Sequence, residues 1–134
     1  MQRITFGTAA AIALILAPTV ASAQARWKEI GKTSSGNRVY VDPKSVHARK
    51  GLIDATVRVV FTTPVATPEG LWYSARTKAT FDCATRKLAA KENVYYGNAK
   101  ETKVVERKVN KIPGFGPVLN GSLGAVAMDY FCRK

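Results

Sequence analysis

The feature that most constrains the fold is a strict alternation of side-chain character over residues 73–83. Phe81 and Cys83 fall on the apolar side of this alternation, and Arg76 and Lys78 fall on the polar side. Successive side chains of a β-strand point to opposite faces of the sheet. The period of two therefore predicts a strand with one packed face and one wet face, and it places Cys83 on the packed face.

Similar patterns predict an antiparallel sheet made of several such strands. The longest candidate, residues 52–63, alternates in the same way and is rich in β-branched residues, which favour strands. Turns of polar residues, glycine and proline separate the candidates, and two prolines exclude residues 64–70 from a sheet interior. The predicted strands are residues 25–32, 38–41, 52–63, 71–83, 87–96 and 102–109.

The N-terminal residues have the layout of a secretory signal peptide. Arg3 is followed by an uncharged, mainly apolar run over residues 4–20 and by the small-residue motif Ala-Ser-Ala at 21–23. We therefore expect residues 1–23 to be cleaved off and residues 24–134 to form one exported domain, periplasmic or secreted. A buried N-terminal helix or a membrane anchor is the alternative. The cleavage point carries no cysteine for a lipid anchor, and the mature chain has no apolar run long enough to span a membrane.

A C-terminal segment has the pattern of an amphipathic helix that packs on the sheet. Ser122 can cap the start of the helix, and Ala125, Met128 and Cys132 recur on one side at helical spacing. The helix thus presents Cys132 to the same interface that Cys83 faces, and the chain has no other cysteine. A disulfide between them is the simplest interpretation for an exported chain. Two free thiols or a disulfide between chains are the alternatives.

Short motifs follow one another along the mature chain in a distinctive order. They are Trp27 with Ile30-Gly31, Val39-Tyr40-Val41-Asp42-Pro43 with Ser45-Val46, Thr80-Phe81-Asp82-Cys83 with Arg86, Gly121-Ser122, and Phe131-Cys132. Together they resemble the surface-adhesin protein E family of bacterial exported domains. The resemblance implies an α+β fold with a single antiparallel sheet of about six strands, a number we also expect from the strand patterns. It further implies a C-terminal helix held to the concave face by a disulfide between Cys83 and Cys132, dimerisation through the sheet, and binding to host matrix proteins.

The charge of the chain favours anionic partners. It has 21 lysines and arginines against 9 acidic residues, a formal net charge of +12. A cationic patch for a sulfated or phosphorylated ligand is predicted on the sheet face opposite the core and at the sheet edge. A solvated face that keeps a small protein soluble is the alternative, and export argues against nucleic acid as the ligand. The predicted patch consists of Arg58, Arg76, Lys78, Lys103, Arg107 and Lys108.

The sequence carries no recognisable motif for catalysis or metal binding. His47 is the only histidine, and no Gly-x-Ser-x-Gly, His-Glu-x-x-His or Cys-x-x-Cys motif occurs. One histidine and a bonded cysteine pair make a poor ligand set, so we expect no metal and no cofactor. Asp54 and Asp82 could form a carboxylate pair of the glycosidase type, although a local ion pair with the nearby Arg86 or a turn bond is the simpler interpretation of Asp82.

These observations predict a non-enzymatic exported binding module of the adhesin type. Its expected ligand is anionic or of the extracellular-matrix type, such as a host matrix protein or an anionic glycan. The alternative is a periplasmic accessory or structural protein that binds another envelope protein, in which case the basic surface is incidental. From the family resemblance, the domain could also form a homodimer.

Overall fold

The structure is a computed structural model that describes residue 7, residues 10–13 and residues 26–133. The predicted signal peptide, residues 1–23, lies largely outside the described residues, as does residue 24, where the predicted mature domain begins. None of the helices in the described ranges is both long and apolar enough to cross a membrane.

In residues 26–133, an antiparallel sheet packs against a C-terminal α-helix, and a short 3-10 helix (Pro43–Ser45) follows the second strand. The strands in chain order are β1 (Lys28–Lys32), β2 (Arg38–Val41), β3 (His47–Arg49), β4 (Leu52–Thr67), β5 (Gly70–Asp82), β6 (Lys87–Tyr96), β7 (Val104–Val109) and β8 (Gly116–Pro117), and the helix is α1 (Leu123–Phe131). The order across the sheet is β1-β2-β4-β5-β6-β7, with β3 paired to β4 and β8 paired to β6. The predicted fold class is confirmed. The sequence patterns miss only β3 and β8, which are too short to show a periodicity.

The inner face of the sheet, which α1 covers in part, holds the apolar core. The long strands β4 and β5 pair so that Ala55 lies opposite Ala79 and Val59 lies opposite Ala75. These four residues and Val57 are buried. The alternating apolar positions of the two strands therefore meet on one face, as the sequence predicts.

The helix α1 packs closely on the inner face near β1. Its N-terminus is capped by Ser122, whose Oγ accepts a hydrogen bond from the N–H of Ala125 at 3.2 Å. Met128 is fully buried in the core. The approach to β1 is so close that a Cβ on Gly31 would lie 2.8 Å from Cγ1 of Val126. The absence of a side chain at Gly31 therefore permits α1 to pack this closely against β1.

A disulfide fastens the end of α1 to the end of β5. Cys83 directly follows β5, Cys132 follows α1, and the two are bonded with their Cα atoms 5.4 Å apart. The neighbouring residues Phe131 and Phe81 pack together with their ring centroids 4.9 Å apart. The predicted disulfide within one chain is confirmed, and the two alternatives for the cysteines are wrong.

The far end of the central hairpin differs from the prediction. Residues 64–70 are not a loop, because β4 continues to Thr67 and β5 begins at Gly70. The register between the two strands shifts between Val60 and Val65. Pro64 lies within this irregular stretch, where its missing N–H removes no regular ladder hydrogen bond.

Candidate functional site

The outer face of the sheet, opposite α1, carries two arginines directly across from each other. The register of β4 and β5 pairs Arg58 with Arg76. Like charges at directly opposed positions of an antiparallel pair destabilise a sheet. A counter-charge at this point therefore offsets a repulsion between the two arginines.

Glu101 supplies that counter-charge. Its side chain is only 4% exposed, and its carboxylate forms ion pairs with both Arg58 and Arg76. Arg76 Nε donates to Oε2 at 2.6 Å, and Ser74 Oγ donates to Oε1 at 2.9 Å. Arg58 also donates to Oε1. Both carboxylate oxygens thus have partners, as a buried charge requires. We refer to Arg58, Arg76 and Glu101 as the arginine cluster.

The loop between β6 and β7 holds Glu101 in position. The Gly97 N–H donates to the Lys103 carbonyl at 2.8 Å and closes the loop. Asn98 Oδ1 accepts from the N–H groups of Thr102 and Lys103 at 3.0 and 3.1 Å. Glu101 itself has a φ of 56°, a left-handed conformation that is uncommon for a residue with a side chain. Its contacts with the two arginines stabilise that conformation.

Aromatic rings enclose the two arginines of the cluster. The Arg58 guanidinium carbon lies 5.4 Å from the ring centroid of Tyr40 and 5.6 Å from that of Trp27. The Arg76 guanidinium carbon lies 5.1 Å from the Trp27 centroid and 5.0 Å from the Tyr96 centroid. These are cation–π distances. They restrict both guanidinium groups to defined positions on the outer face.

A cleft of about 210 Å³ adjoins the arginine cluster, and we refer to it as the basic cleft. Arg26, Arg76, Lys78 and Arg107 line it, together with a single acidic residue, Glu92. Glu92 pairs with Arg107 and, at 3.7 Å, with Lys78, so one carboxylate serves two cations. The side chains of Lys78 and Arg107 are 63% and 54% exposed. Both can therefore reach a ligand without unfolding any part of the domain.

The structure brings four of the six predicted patch residues together. Arg76, Lys78 and Arg107 line the basic cleft, and Arg58 adjoins it through the arginine cluster. All four lie on the outer face, as the alternation of β4 and β5 predicts. Two of them, Arg58 and Arg76, are already held by Glu101, so the more exposed Lys78 and Arg107 are the better candidates for ligand contacts.

The other two predicted patch residues lie elsewhere. Lys103 is in the loop between β6 and β7, outside the cleft lining. Lys108 lies on the inner face, with its Nζ 5.9 Å from the ring centroid of Tyr95. Adjacent residues of a strand point to opposite faces, so Arg107 and Lys108 of β7 do not share a surface.

Three residues of this region are not among the site residues predicted from the sequence. Arg26 precedes β1 and lines the basic cleft, and its Nε donates to Asp42 Oδ2 at 2.9 Å. Glu92 alternates with Val94 in β6, so its place on the outer face could have been found from that strand. No periodic pattern marks Glu101, because it belongs to a polar loop.

Asp54, one member of the candidate carboxylate pair, does not have the raised pKa of a glycosidase acid. Asp54 accepts hydrogen bonds from Arg49 Nε at 2.7 Å, Thr80 Oγ1 at 2.5 Å and Lys91 Nζ at 3.3 Å. The bonds from Arg49 and then Thr80, with a smaller effect of Lys91, hold the pKa of Asp54 well below its ordinary value. Asp54 is therefore a fixed anion rather than a proton donor.

Of the two local interpretations of Asp82, the structure has the turn bond and not the ion pair with Arg86. Asp82 accepts from the N–H of Ala84 at 3.1 Å, and Arg86 pairs with Asp129 of α1. His47 lies exposed on β3. Within the described ranges, no three His, Cys, Asp or Glu side chains come close enough together to hold a metal ion.

The fold and this surface define a class of protein: a small α+β domain, clamped by one disulfide, whose outer face presents partly buried and exposed cations side by side. The sequence profile of one family, described as surface-adhesin protein E, matches residues 27–133. The chain belongs to the surface-adhesin protein E family.

Solved structures of Haemophilus influenzae protein E have the same fold. A second crystal form of that protein matches with a TM-score of 0.54 and 14% identity, over 78% of this chain and 86% of that one. A structure of protein E from non-typeable Haemophilus influenzae matches with a TM-score of 0.52 and 16% identity, over 87% and 81% of the two chains. At this identity the likeness concerns the fold alone. No curated protein matches the chain significantly in sequence.

Proposed function

We propose that this chain is an exported, non-enzymatic binding module of the adhesin type, and that its basic cleft binds an anionic ligand of the extracellular-matrix or cell-surface type. The family membership supports an adhesin-like role outside the cytoplasm, and the N-terminal layout of the sequence supports export. The observation that carries the proposal is the composition of the cleft, with four cations against one lining carboxylate.

The cleft suits a sulfate or carboxylate group on a polymer better than a small free anion. Arg76 is held rigidly by Glu101 and by two aromatic rings, whereas Lys78 and Arg107 share Glu92 and are half or more exposed. A rigid guanidinium can present a fixed hydrogen-bonding edge, and exposed neighbouring cations can contact successive anionic groups. Sulfated polysaccharides and acidic segments of matrix proteins both have such repeated anions.

Heparin is the probe that tests this proposal directly. The mature domain, residues 24–134, should bind heparin at moderate salt, and the affinity should fall as salt rises because the contacts are ionic. The double variant Lys78→Gln with Arg107→Gln should lose about tenfold or more in affinity. Isothermal titration calorimetry at two salt concentrations measures both effects.

A matched control separates the cleft from the overall charge. Lys44→Gln with Lys50→Gln removes the same two charges from exposed residues outside the cleft lining. This control should weaken heparin binding by no more than about threefold, because only the long-range attraction changes. Equal losses in the two double variants would show that the binding is non-specific and would remove the cleft from the proposal.

A second outcome concerns the partner. If heparin and matrix proteins fail to bind, and an envelope extract yields one stoichiometric protein with the mature domain, the chain is an accessory factor of the envelope.

Dimerisation is proposed through β7, the edge strand, which leaves Val104 and Val109 exposed. Sedimentation velocity of the mature domain against a Val109→Lys variant tests that proposal separately.

A further inference from the structure

The inner face carries a second groove, of about 530 Å³, beside the part of the sheet that α1 covers. Its floor is formed by β4, β5 and β6, and its rim by the turn after β1 and the segment before α1. None of its lining residues is charged. On a chain with a formal net charge of +12, this neutral lining distinguishes the groove from the basic cleft.

An aromatic platform lies at one end of the neutral groove. Trp72 and Tyr95 stack with their ring centroids 3.8 Å apart and their planes 20° apart. The register shift between β4 and β5 pairs Trp72 with Val65 and lets its ring reach the same face as Ala75. The Trp72 indole Nε1 has no hydrogen-bond partner among the described residues. Stacking, rather than a hydrogen bond, therefore positions this ring.

Amide and hydroxyl groups line the groove next to this platform. Thr77 Oγ1 donates to Asn93 Oδ1 at 2.7 Å, which leaves the two N–H donors of the Asn93 amide for another acceptor. Asn120 and Ser122 line the groove from the segment before α1, but the Ser122 hydroxyl is already engaged with the Leu119 carbonyl and the Ala125 N–H. Asn93 and Asn120 are therefore the amides available to a ligand. Uncharged donors and acceptors thus surround an apolar floor, the combination that fixes the orientation of a small ligand.

We propose that the neutral groove binds an uncharged saccharide, one to a few rings of a glycan. A pyranose ring has a face of C–H groups, which packs on an aromatic ring, and an edge of hydroxyl groups, which pair with amides and hydroxyls. An anionic or cationic ligand would find no counter-charge in the lining, since Lys108, which lies near Tyr95, pairs with Glu106 at 3.4 Å. A purely apolar ligand would leave the polar groups without partners. The groove is on the opposite face from the basic cleft, so this site is independent of the proposed anion binding.

The two tryptophans of the chain give a direct assay, because Trp72 lies in the groove and Trp27 lies on the outer face. The probes are maltotriose and the trimer of N-acetylglucosamine, with a heparin disaccharide as the anionic comparison. In ¹H–¹⁵N spectra of the mature domain, we expect a neutral trisaccharide to shift the Trp72 indole and Asn93 side-chain signals and to leave Trp27 unchanged. The expected affinity is in the millimolar range, about 1 mM, as befits a shallow site.

A variant pair sharpens this assay. Asn93→Ala removes the amide donors and should weaken the trisaccharide about fivefold, while Asn110→Ala, outside the groove lining, should have no effect. Shifts at Trp27 alone, shifts caused only by the heparin disaccharide, or no shift with either neutral probe at roughly 10 mM would each overturn the proposal. The wild-type spectra decide these outcomes even if Asn93→Ala folds poorly.

Discussion

The two faces of this sheet bury side chains by different physical means. On the inner face, Val57, Phe81 and Met128 are almost completely buried against one another, and burial of apolar area stabilises them without any directional requirement. On the outer face, Ser74 and Glu101 are buried as well, but as members of a hydrogen-bonded ionic network. The outer face therefore depends on specific geometry, whereas the inner face depends on shape and hydrophobicity.

The scarcity of acidic residues gives the outer face its character. The chain has only 9 of them against 21 basic residues. Glu101 holds Arg58 and Arg76, and Asp54 holds Arg49 and Lys91. Glu92 likewise pairs with Lys78 and Arg107, so each of these three carboxylates serves two cations and the outer face keeps an excess of positive charge.

The largest expected effect is on the inner face, at the covalent clamp. Cys132→Ser should lower the free energy of unfolding by about 4 kcal/mol, because the disulfide closes a loop with a sequence separation of 49. The change should release the end of α1 from β5. Thermal melts under oxidising conditions measure the loss, and wild-type protein treated with reductant is the control that should melt like the variant. A wild-type melting temperature that reductant does not change would contradict the prediction.

On the outer face the largest effect should come from Glu101→Gln. The variant keeps the size of the side chain but leaves two arginines opposed in a partly buried site, and we expect a loss of about 3 kcal/mol. Chemical denaturation measures it. Glu106→Gln is the matched control. Glu106 pairs with Lys108 at 3.4 Å, and the Lys108 side chain is 61% exposed, so the loss should stay below about 1 kcal/mol.

Apolar replacement of the whole arginine cluster shows whether its ion pairs add to the free energy of unfolding or only fix the arrangement of side chains on the outer face. The quadruple variant Arg58→Met, Arg76→Met, Glu101→Leu, Ser74→Ala removes every charge of the arginine cluster together with the buried hydroxyl that donates to it. It should be close to the wild type in stability, within about 1 kcal/mol, because removing a whole buried network leaves no unpaired charge. A loss as large as that of Glu101→Gln would mean that the cluster itself stabilises the fold.

The difference between the faces also explains which features the sequence could predict. The packed side of β5, the capped helix after Ser122 and the meeting of Cys83 with Cys132 follow from local periodicity, since each face repeats every two or every 3.6 residues. Glu101 does not, because its partners Arg76 and Arg58 are 25 and 43 residues away, and no local pattern encodes such contacts.

The predicted basic patch shows the same limit in another form. Charge and proximity in sequence group Arg107 with Lys108, yet strand geometry puts them on opposite faces. Applying the period of two to β7 would have separated them. The neutral groove could not be foreseen at all, because the register shift that brings Trp72 to Tyr95 depends on how β4 and β5 pair around Pro64.

The smallest expected effect is the pH dependence that Asp54 gives to the outer face. The folded state lowers the pKa of Asp54, chiefly through the hydrogen bond from Arg49, whereas in the unfolded chain the value is about 4. The resulting stabilisation is present above the unfolded pKa and is lost as the pH falls through the lower, folded pKa. Asp54→Asn should therefore cost about 1 kcal/mol at neutral pH, a small value because Arg49 and Lys91 are 53% and 45% exposed.

Denaturation of the wild type and of Asp54→Asn across the acid range measures this effect. The wild-type advantage should begin to shrink at about pH 4, the unfolded pKa, and the two stability curves should converge as the pH falls on toward the lower, folded pKa. Thr80→Val, which removes only one donor to Asp54, should show the same trend with a smaller difference. Parallel curves would mean that Asp54 contributes no charge-dependent stability, and that the outer face depends on the arginine cluster alone.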